Sequence, residues 1–116
     1  MCSSDLSGVE AVCGLIANRQ KFTAIFAAND QMAIGALHGL HRHKLRVPED
    51  VSLVGFDDLP SSLYALPPLT TVHQPAYDMG RLAAEAVLHL LDGVKPQQTV
   101  PSPRLIVRDS CRQLNA

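Results

Sequence analysis

The 116-residue sequence contains no tryptophan, and aromatic residues make up only 4% of it. Because aromatic side chains are so few, the core must be built from Leu, Val, Ile and Ala, which fill the interfaces between helices and parallel strands. With 47% hydrophobic and 18% charged residues, the chain is long enough for one compact domain and too short for two of ordinary size. The composition therefore favours an α/β fold.

Long apolar runs and dense basic patches are also missing. No stretch approaches 18 apolar residues, and residues 1–7 lack the basic and then hydrophobic pattern of a signal peptide. The formal charge is −1 and the basic residues are scattered, so direct nucleic-acid binding by this chain is not expected. Three cysteines without a CxxC pair favour a reducing, cytoplasmic setting. We predict neither a membrane span nor a disulfide framework.

Several motifs that mark cofactor, metal or nucleophile sites are absent. The glycines form neither GxGxxG nor a P-loop, and GxSxG and HExxH do not occur. His38, His41 and His43 lie close together, but no carboxylate or cysteine in the same segment completes a metal site. A solvated or interface-facing helix surface explains these histidines better. The sequence predicts no cofactor and no metal site.

Apolar periodicity predicts helices and strands in alternation, as in α/β domains with parallel strands. Helices are predicted over residues 7–19, 30–43 and 75–91, and strands over residues 22–28, 51–56, 69–72 and 105–107. The first helix is placed by the capping-box spacing of Ser7 and Glu10. Residues 60–68 are rich in proline, so a single helical turn over residues 61–66 is the most regular structure expected there.

Polar side chains follow three of the predicted strands. They are Asn29 with Asp30, Asp57 with Asp58, and Gln74 after His73. Ligands of open α/β sheets bind beyond the carboxyl ends of parallel strands, and amides with a carboxylate suit the vicinal hydroxyls of a sugar or another small polyol. A structural alternative stands beside this one. Asn29 or Asp30 could cap the helix that follows, and Asp58 could cap a turn.

The adjacent carboxylates of Asp57 and Asp58 also invite an enzymatic interpretation, as general acid and base or as a metal site. Adjacent residues of a strand point to opposite faces, so the pair can serve one substrate only if the strand has already ended. A phosphoacceptor aspartate has less support, because no earlier acidic pair and no well-placed lysine accompany it. We therefore favour binding over catalysis.

Three ordered stretches carry a resemblance to a known family. They are TAIFAANDQMAIGAL over residues 23–37, LRVPEDVSLVGFDDLP over 45–60 and PPLTTVHQPAYDMGRLAAE over 67–85. They resemble the effector-binding domain of LacI/GalR-type bacterial transcriptional repressors, and RLIVRDS over residues 104–110 is similar to that family's last core strand. The resemblance implies a periplasmic-binding-protein-like type I α/β fold. It assigns residues 7–112 to the C-terminal part of such a domain, leaving 1–6 unassigned and 113–116 as a tail.

The resemblance also implies roles for individual residues. It places effector contacts on Asn29, Asp57 and Gln74, and a dimer interface on Ile34, His38, Tyr64 and Leu66 within the helix from Asp30 and the region 62–66. Asp57, taken as the last strand residue, then becomes the ligand acceptor and Asp58 a turn-forming neighbour. The implied protein is a cytoplasmic, non-enzymatic, homodimeric repressor whose effector is of the sugar or nucleoside class. The alternative is a periplasmic sugar-binding protein of the same architecture.

The family pattern has parts that this sequence lacks. No helix-turn-helix, hinge or first half of the effector domain precedes Ser7, so we expect operator contact and half of the effector cleft to come from residues outside it. The resemblance assigns the helix over residues 75–91 to the other lobe, which leaves its seven apolar side chains without cover. At about 25 cal/mol per Å², such exposure forfeits several kcal/mol. We expect the chain alone to be marginally stable or to associate.

Overall fold

The structure is a computed structural model, and it describes residues 3–115. Its elements are α1 (Ser3–Ala17), β1 (Ala24–Phe26), α2 (Asp30–Arg42), β2 (Ser52–Val54), α3 (Pro60–Tyr64), β3 (Thr71–His73), α4 (Ala76–Leu91) and β4 (Arg104–Ile106). This order agrees with the predicted alternation, although β1, β2 and β3 are shorter than their predicted ranges and β4 begins one residue earlier than predicted. The predicted start of the first helix at Ser7 is wrong, because the helical backbone already begins at Ser3 and Ser7 lies inside it.

The strands form two hydrogen-bonded pairs. β1 and β2 run parallel, with Ala24 opposite Ser52 and Phe26 opposite Val54, and β3 pairs with β4. Two isolated parallel bridges, Val54 with Thr70 and Asp57 with His73, connect the β2 segment to the β3 segment. Because these segments are parallel, the loops that follow β1 and β2 leave the strands in the same direction. The candidate ligand residues Asn29 and Asp57 lie in those two loops.

Among the described residues, 3–73 together with 105–115 form a first compact unit, and 74–104 form a second. The first unit has a core of fully buried side chains drawn from both helices and strands: Val12, Ala27, Ala33, Ala36, Leu40, Val51, Leu53 and Leu69. Helices α1 and α2 approach each other at their glycines. A Cβ atom on Gly8 would lie 2.1 Å from the carbonyl oxygen of Met32, and one on Gly35 would lie 2.1 Å from that of Asp5.

The second unit consists of α4 and the loop that follows it. The helix spans Ala76–Leu91, close to its predicted bounds, with Pro75 at its N-cap. Gly93, two residues beyond the end of the helix, has a φ of 73°, the left-handed conformation that glycine adopts without strain after a helix. None of the helix residues is buried, so the apolar stripe predicted from the sequence is uncovered within the described residues.

Candidate ligand site

Asn29 stands three residues beyond the end of β1 and forms the N-cap of α2. Its backbone is extended, with φ −153° and ψ 169°, and its Oδ1 atom accepts a hydrogen bond of 2.8 Å from the backbone N–H of Met32. The capping alternative raised from the sequence is therefore correct for Asn29. Capping uses only the side-chain oxygen, so the Nδ2 group is the part of Asn29 that capping leaves for a ligand.

Asp30, the first residue of α2, is fully buried and organises the surrounding loops. Its carboxylate accepts hydrogen bonds from the backbone N–H of Leu59 at 2.7 Å and from the Thr71 hydroxyl at 2.5 Å. The hydroxyl of Ser62 is a further donor to the same carboxylate. A charged group survives burial only when its acceptor sites are satisfied, as they are here, and its position at the helix N-terminus is also favourable.

Two further observations support the importance of the Asp30 carboxylate. Gly55 leaves room for it, because a Cβ atom there would lie 2.3 Å from Asp30 Oδ1. Ser62 is itself fully buried, which corrects the expectation that the whole region 62–66 faces a partner. Ser62 points inward to Asp30, so only the residues after it in that region can contribute to a surface. The sequence had suggested helix capping for Asp30, and its role as the acceptor for three donors, from the start of α3 and from β3, was missed.

Asp57 lies beyond the strand that leads to it. β2 ends at Val54, so the prediction that Asp57 is the last strand residue is wrong. Its backbone N–H donates to the carbonyl of Val72 at 2.9 Å, and its φ is 112°, followed by 57° at Asp58. Positive φ is strained for residues with a side chain. Because the chain has already left the strand, the rule that adjacent side chains point to opposite faces does not apply to this pair.

Asp58 forms a largely buried charge cluster in the first unit. Its Oδ1 atom is 2.7 Å from Nη2 of Arg108, its Oδ2 atom is 2.9 Å from Nδ1 of His73, and only 17% of its side chain is exposed. Burial, the largest influence, raises the pKa of Asp58, but the hydrogen bonds from Arg108 and His73 outweigh it and the pKa is lowered. Asp58 does lie in a turn, with a φ of 57°, and its carboxylate in addition joins three segments of the chain.

Arg108 was not singled out by the sequence analysis, which counted it only among scattered basic residues. Its Nη1 group donates to the carbonyl of Leu69 at 2.9 Å, and its backbone N–H donates to the Thr70 hydroxyl at 2.9 Å. The guanidinium thus spans from the β3 segment to Asp58. Arg108 directly follows the last predicted core strand, as an isolated arginine after apolar residues. This position is the sequence signal that could have drawn attention to it.

The structure brings together the loops that carry Asn29 and Asp57. The backbone N–H of Asp30, next to Asn29, donates to the carbonyl of Phe56, next to Asp57, at 2.8 Å. Gln74 directly follows β3 and is the first residue of the second unit, where its carbonyl accepts from the N–H of Ala76 at 2.8 Å. Within the first unit, an amide and a carboxylate therefore lie at one edge, a combination suited to hydroxyl groups.

The four residues predicted to form a dimer interface line one open groove of the first unit. Ile34 and His38 come from α2, whereas Tyr64 and Leu66 come from α3 and the segment after it, and the cavity measures about 1520 Å³. Tyr64 is 78% exposed and Leu66 is 86% exposed. The sequence-based grouping of these residues thus corresponds to a single largely apolar surface.

The described chain, residues 3–115, contains neither a group of candidate metal ligands nor a candidate membrane-spanning helix. Its His, Cys, Asp and Glu residues form no group of three or more that could hold a metal ion. Its helices include none with the length and apolar character needed to cross a membrane.

Residues 4–111 match the family model of the periplasmic binding protein-like domain. The chain is 38% identical over 112 residues to the HTH-type transcriptional repressor PurR of Haemophilus influenzae. The match covers 92% of this chain and 33% of the relative. Among solved structures, the transcriptional regulator CelR in complex with cellobiose superposes with a TM-score of 0.84 at 39% identity, over 91% of this chain and 33% of that one. The structure of the Lac repressor dimer bound to operator and the anti-inducer ONPF superposes with a TM-score of 0.82 at 35% identity. The match covers 90% of this chain and 37% of that one.

The chain therefore belongs to the periplasmic binding protein-like domain family, and within it to the C-terminal part of the effector-binding domain of LacI/GalR-type transcriptional regulators. The fold and family expected from the three sequence motifs are confirmed. The chain spans about a third of the length of the curated relatives it matches.

Proposed function

We propose that this chain is the ligand-sensing and dimerising part of a transcriptional repressor that responds to a sugar or another small polar ligand. The observation that carries the proposal is the hydrogen bond of 2.8 Å between Asp30 N–H and the Phe56 carbonyl, which joins the loops bearing Asn29 and Asp57. The regulators similar to this chain include one in complex with cellobiose. A family relationship to repressors favours this role over that of a periplasmic sugar-binding protein.

In this proposal, each ligand contact has a chemical reason. The Asp57 carboxylate accepts hydrogen bonds from two neighbouring hydroxyls of the ligand, and the Asn29 amide nitrogen donates to a ring or hydroxyl oxygen. Gln74, the third proposed contact, supplies a second amide from the segment after β3. The chain itself performs no catalysis and requires no cofactor. The second wall of the ligand cleft and the operator contacts come from residues outside this sequence.

Regulation follows from differential binding. A ligand that binds one arrangement of the effector domain more tightly than another shifts the population toward it, and operator affinity changes by the same coupling free energy. The site of action is the cytoplasm, where operator DNA is present. The sequence of this chain gives no preference between nucleoside and sugar ligands, since both carry vicinal hydroxyls.

The dimer surface is the groove lined by Ile34, His38, Tyr64 and Leu66. Its exposed apolar side chains support this assignment, because soluble monomers rarely leave contiguous apolar patches uncovered, and a dimeric Lac repressor is among the similar structures. In the complete gene product, Leu66→Lys should place an uncompensated charge in the interface and shift the protein toward monomer in analytical ultracentrifugation. An unchanged dimer would exclude this surface.

The ligand proposal is tested by a thermal-shift screen of the complete gene product with cellobiose, glucose, ribose, cytidine and adenosine, followed by calorimetry of any compound that raises the melting temperature. Asp57→Asn and Asn29→Ala should each weaken binding by about tenfold or more, since a hydrogen bond to a charged or buried polar group is lost. Asp109→Asn, at an exposed carboxylate of the first unit, is the control and should bind normally. Undiminished binding by Asp57→Asn would remove that residue from the site, and a panel without any binder would contradict the ligand class.

A further inference from the structure

We propose that Arg108, acting through Asp58, is the positioning residue that holds the Asp57 carboxylate in its ligand-binding place. This inference rests on the proposed function, because it takes Asp57 as the ligand acceptor. Neither Arg108 nor Asp58 needs to touch the ligand for this role. It makes the last segment of the chain, beyond β4, part of the machinery of a site built from loops that occur far earlier in the sequence.

The first observation is the backbone at the site. Asp57 and Asp58 are consecutive non-glycine residues with φ of 112° and 57°, a conformation that side chains disfavour by about 1–3 kcal/mol for each residue. Such a conformation persists only where surrounding contacts hold it. Something other than local preference must therefore fix the turn that presents Asp57.

The second observation identifies those contacts. Both carboxylate oxygens of Asp58 are engaged, Oδ1 by Arg108 at 2.7 Å and Oδ2 by His73 at 2.9 Å. The backbone N–H of Asp58 is 3.3 Å from the Thr71 hydroxyl. Arg108 is itself anchored by its donation to the Leu69 carbonyl, so the cluster connects the strained turn to two neighbouring segments.

The third observation concerns charge. Asp57 and Asp58 are adjacent acidic residues in the chain, and like charges that lie near each other repel, more so where water is partly excluded. The Arg108 guanidinium lies beside Asp58 with only 17% of its side chain exposed, which makes the pair little screened by solvent. Arg108 therefore offsets the charge of Asp58 within the turn that carries Asp57.

The test measures the Asp57 turn without any ligand. In the complete gene product, amide hydrogen exchange of Asp57, whose N–H donates to Val72, is followed by NMR and compared with that of Leu53, whose N–H donates to Ser110 at 2.8 Å. In Arg108→Gln the Asp57 amide should exchange about tenfold faster while that of Leu53 changes much less, because local opening is separate from global unfolding. Arg108→Lys retains the positive charge but loses the forked geometry of the guanidinium. In this variant the exchange rate of the Asp57 amide should lie between those of wild type and Arg108→Gln.

Two further variants keep the test decisive. Asp58→Asn removes the same ion pair from the other side, so it should reproduce the local increase even if Arg108→Gln folds poorly. Arg112→Gln is the matched control, since Arg112 is an exposed arginine of the same terminal segment that donates to the Pro48 carbonyl. It should leave Asp57 exchange unchanged. Equal acceleration of Asp57 and Leu53, or no acceleration of either, would overturn the positioning role.

This experiment separates the two proposals. A failure of the cellobiose and cytidine assays would count against the ligand class and leave the exchange result unaffected. Conversely, if Asp57→Asn abolishes binding of a compound while Arg108→Gln binds it with unchanged affinity, the ligand site stands and the positioning role is wrong.

Discussion

The two units of this chain contain similar side chains in opposite environments. Arg108 and Asp58 in the first unit are 2.7 Å apart with 17% exposure each, whereas Arg81 and Glu85 on α4 are also 2.7 Å apart but 50% and 44% exposed. Apolar residues differ in the same way, since the first unit buries a core and α4 buries none of its residues. The two ion pairs share the same N–O distance, and the difference in burial decides what each contributes to stability.

The largest expected effect concerns the state of the whole chain. The exposed leucines of α4 should drive the 116-residue chain to associate, because each buried leucine side chain contributes about 1.5–3 kcal/mol. The double variant Leu90→Lys and Leu91→Lys should abolish concentration-dependent association beyond a dimer in sedimentation velocity, because it leaves the groove of the first unit intact. Leu114→Lys, at an exposed leucine of the first unit, is the control and should associate as before. A monodisperse wild-type monomer with a sharp thermal transition would show that α4 behaves no differently from the first unit.

The next effect tests the buried carboxylate of the first unit. Asp30→Ala leaves the donors of Leu59, Ser62 and Thr71 without their acceptor, and we expect the free energy of unfolding to fall by about 3–5 kcal/mol. Urea unfolding followed by circular dichroism measures it. The exposed Asp109→Asn should change stability by less than about 0.5 kcal/mol. Similar values for both variants would mean that the Asp30 network is not a stabilising centre.

A matched pair of leucines tests the hydrophobic contrast directly. Leu53 is fully buried in the first unit and Leu90 is exposed on α4. Leu53→Ala should lower the free energy of unfolding by about 2–5 kcal/mol through lost burial and the cavity left behind. Leu90→Ala should alter it by about 0.5 kcal/mol or less in dilute, non-associating conditions. Equal losses in urea titrations would imply that α4 is covered in solution.

The Asp58 ion pair adds a pH dependence that is confined to the first unit. Because its pKa is lowered in the folded state, Asp58 contributes stability at pH above the ordinary aspartate value and loses that contribution as the pH falls toward the folded pKa. Asp58→Asn should therefore lower the free energy of unfolding by about 1.5–3 kcal/mol at neutral pH. The difference from wild type should shrink below about pH 4. A difference that stays constant from pH 7 to pH 3 would indicate that the carboxylate charge is irrelevant.

The smallest effect is expected for the exposed pair on α4. Arg81→Gln should change the free energy of unfolding by only about 0.2–0.5 kcal/mol, since the pair with Glu85 is an exposed (i, i+4) contact screened by water. Added salt should erase even this change in thermal melts. Set beside Arg108→Gln, the variant compares an exposed ion pair with a largely buried one at the same N–O distance. A loss as large as that of Arg108→Gln would refute this account.

Much of the fold was predictable because it depends on local patterns. The bounds of α2 and α4 agree closely with the apolar periodicity, and the strand order agrees with the alternation of elements. The strand ends were less accurate, since apolar residues continue past Val54 into a turn. That turn depends on contacts from distant segments, and no pattern within residues 51–58 reports them.

The candidate site divides in the same way. Asn29 and Asp57 were identified because they directly follow apolar runs, a feature visible in the sequence itself. The Asp58 partner Arg108 lies 50 residues away in the chain, and the Asp30 partner Thr71 lies 41 residues away. Such pairings depend on how distant segments pack in the fold. The sequence alone therefore does not identify which arginine or threonine forms them.

The glycine contacts between α1 and α2 have a consequence for protein engineering. Replacing a helical glycine by alanine is a common way to stabilise a protein, because alanine favours the helix by about 1 kcal/mol. At Gly8 and Gly35 the added methyl group would meet a backbone carbonyl of the facing helix at 2.1 Å, and backbone atoms cannot rotate aside. At Gly8 or Gly35, replacement by alanine would therefore force α1 and α2 apart. Gly80 on α4 has no atom within 4 Å of its added Cβ, and it accepts the same substitution freely.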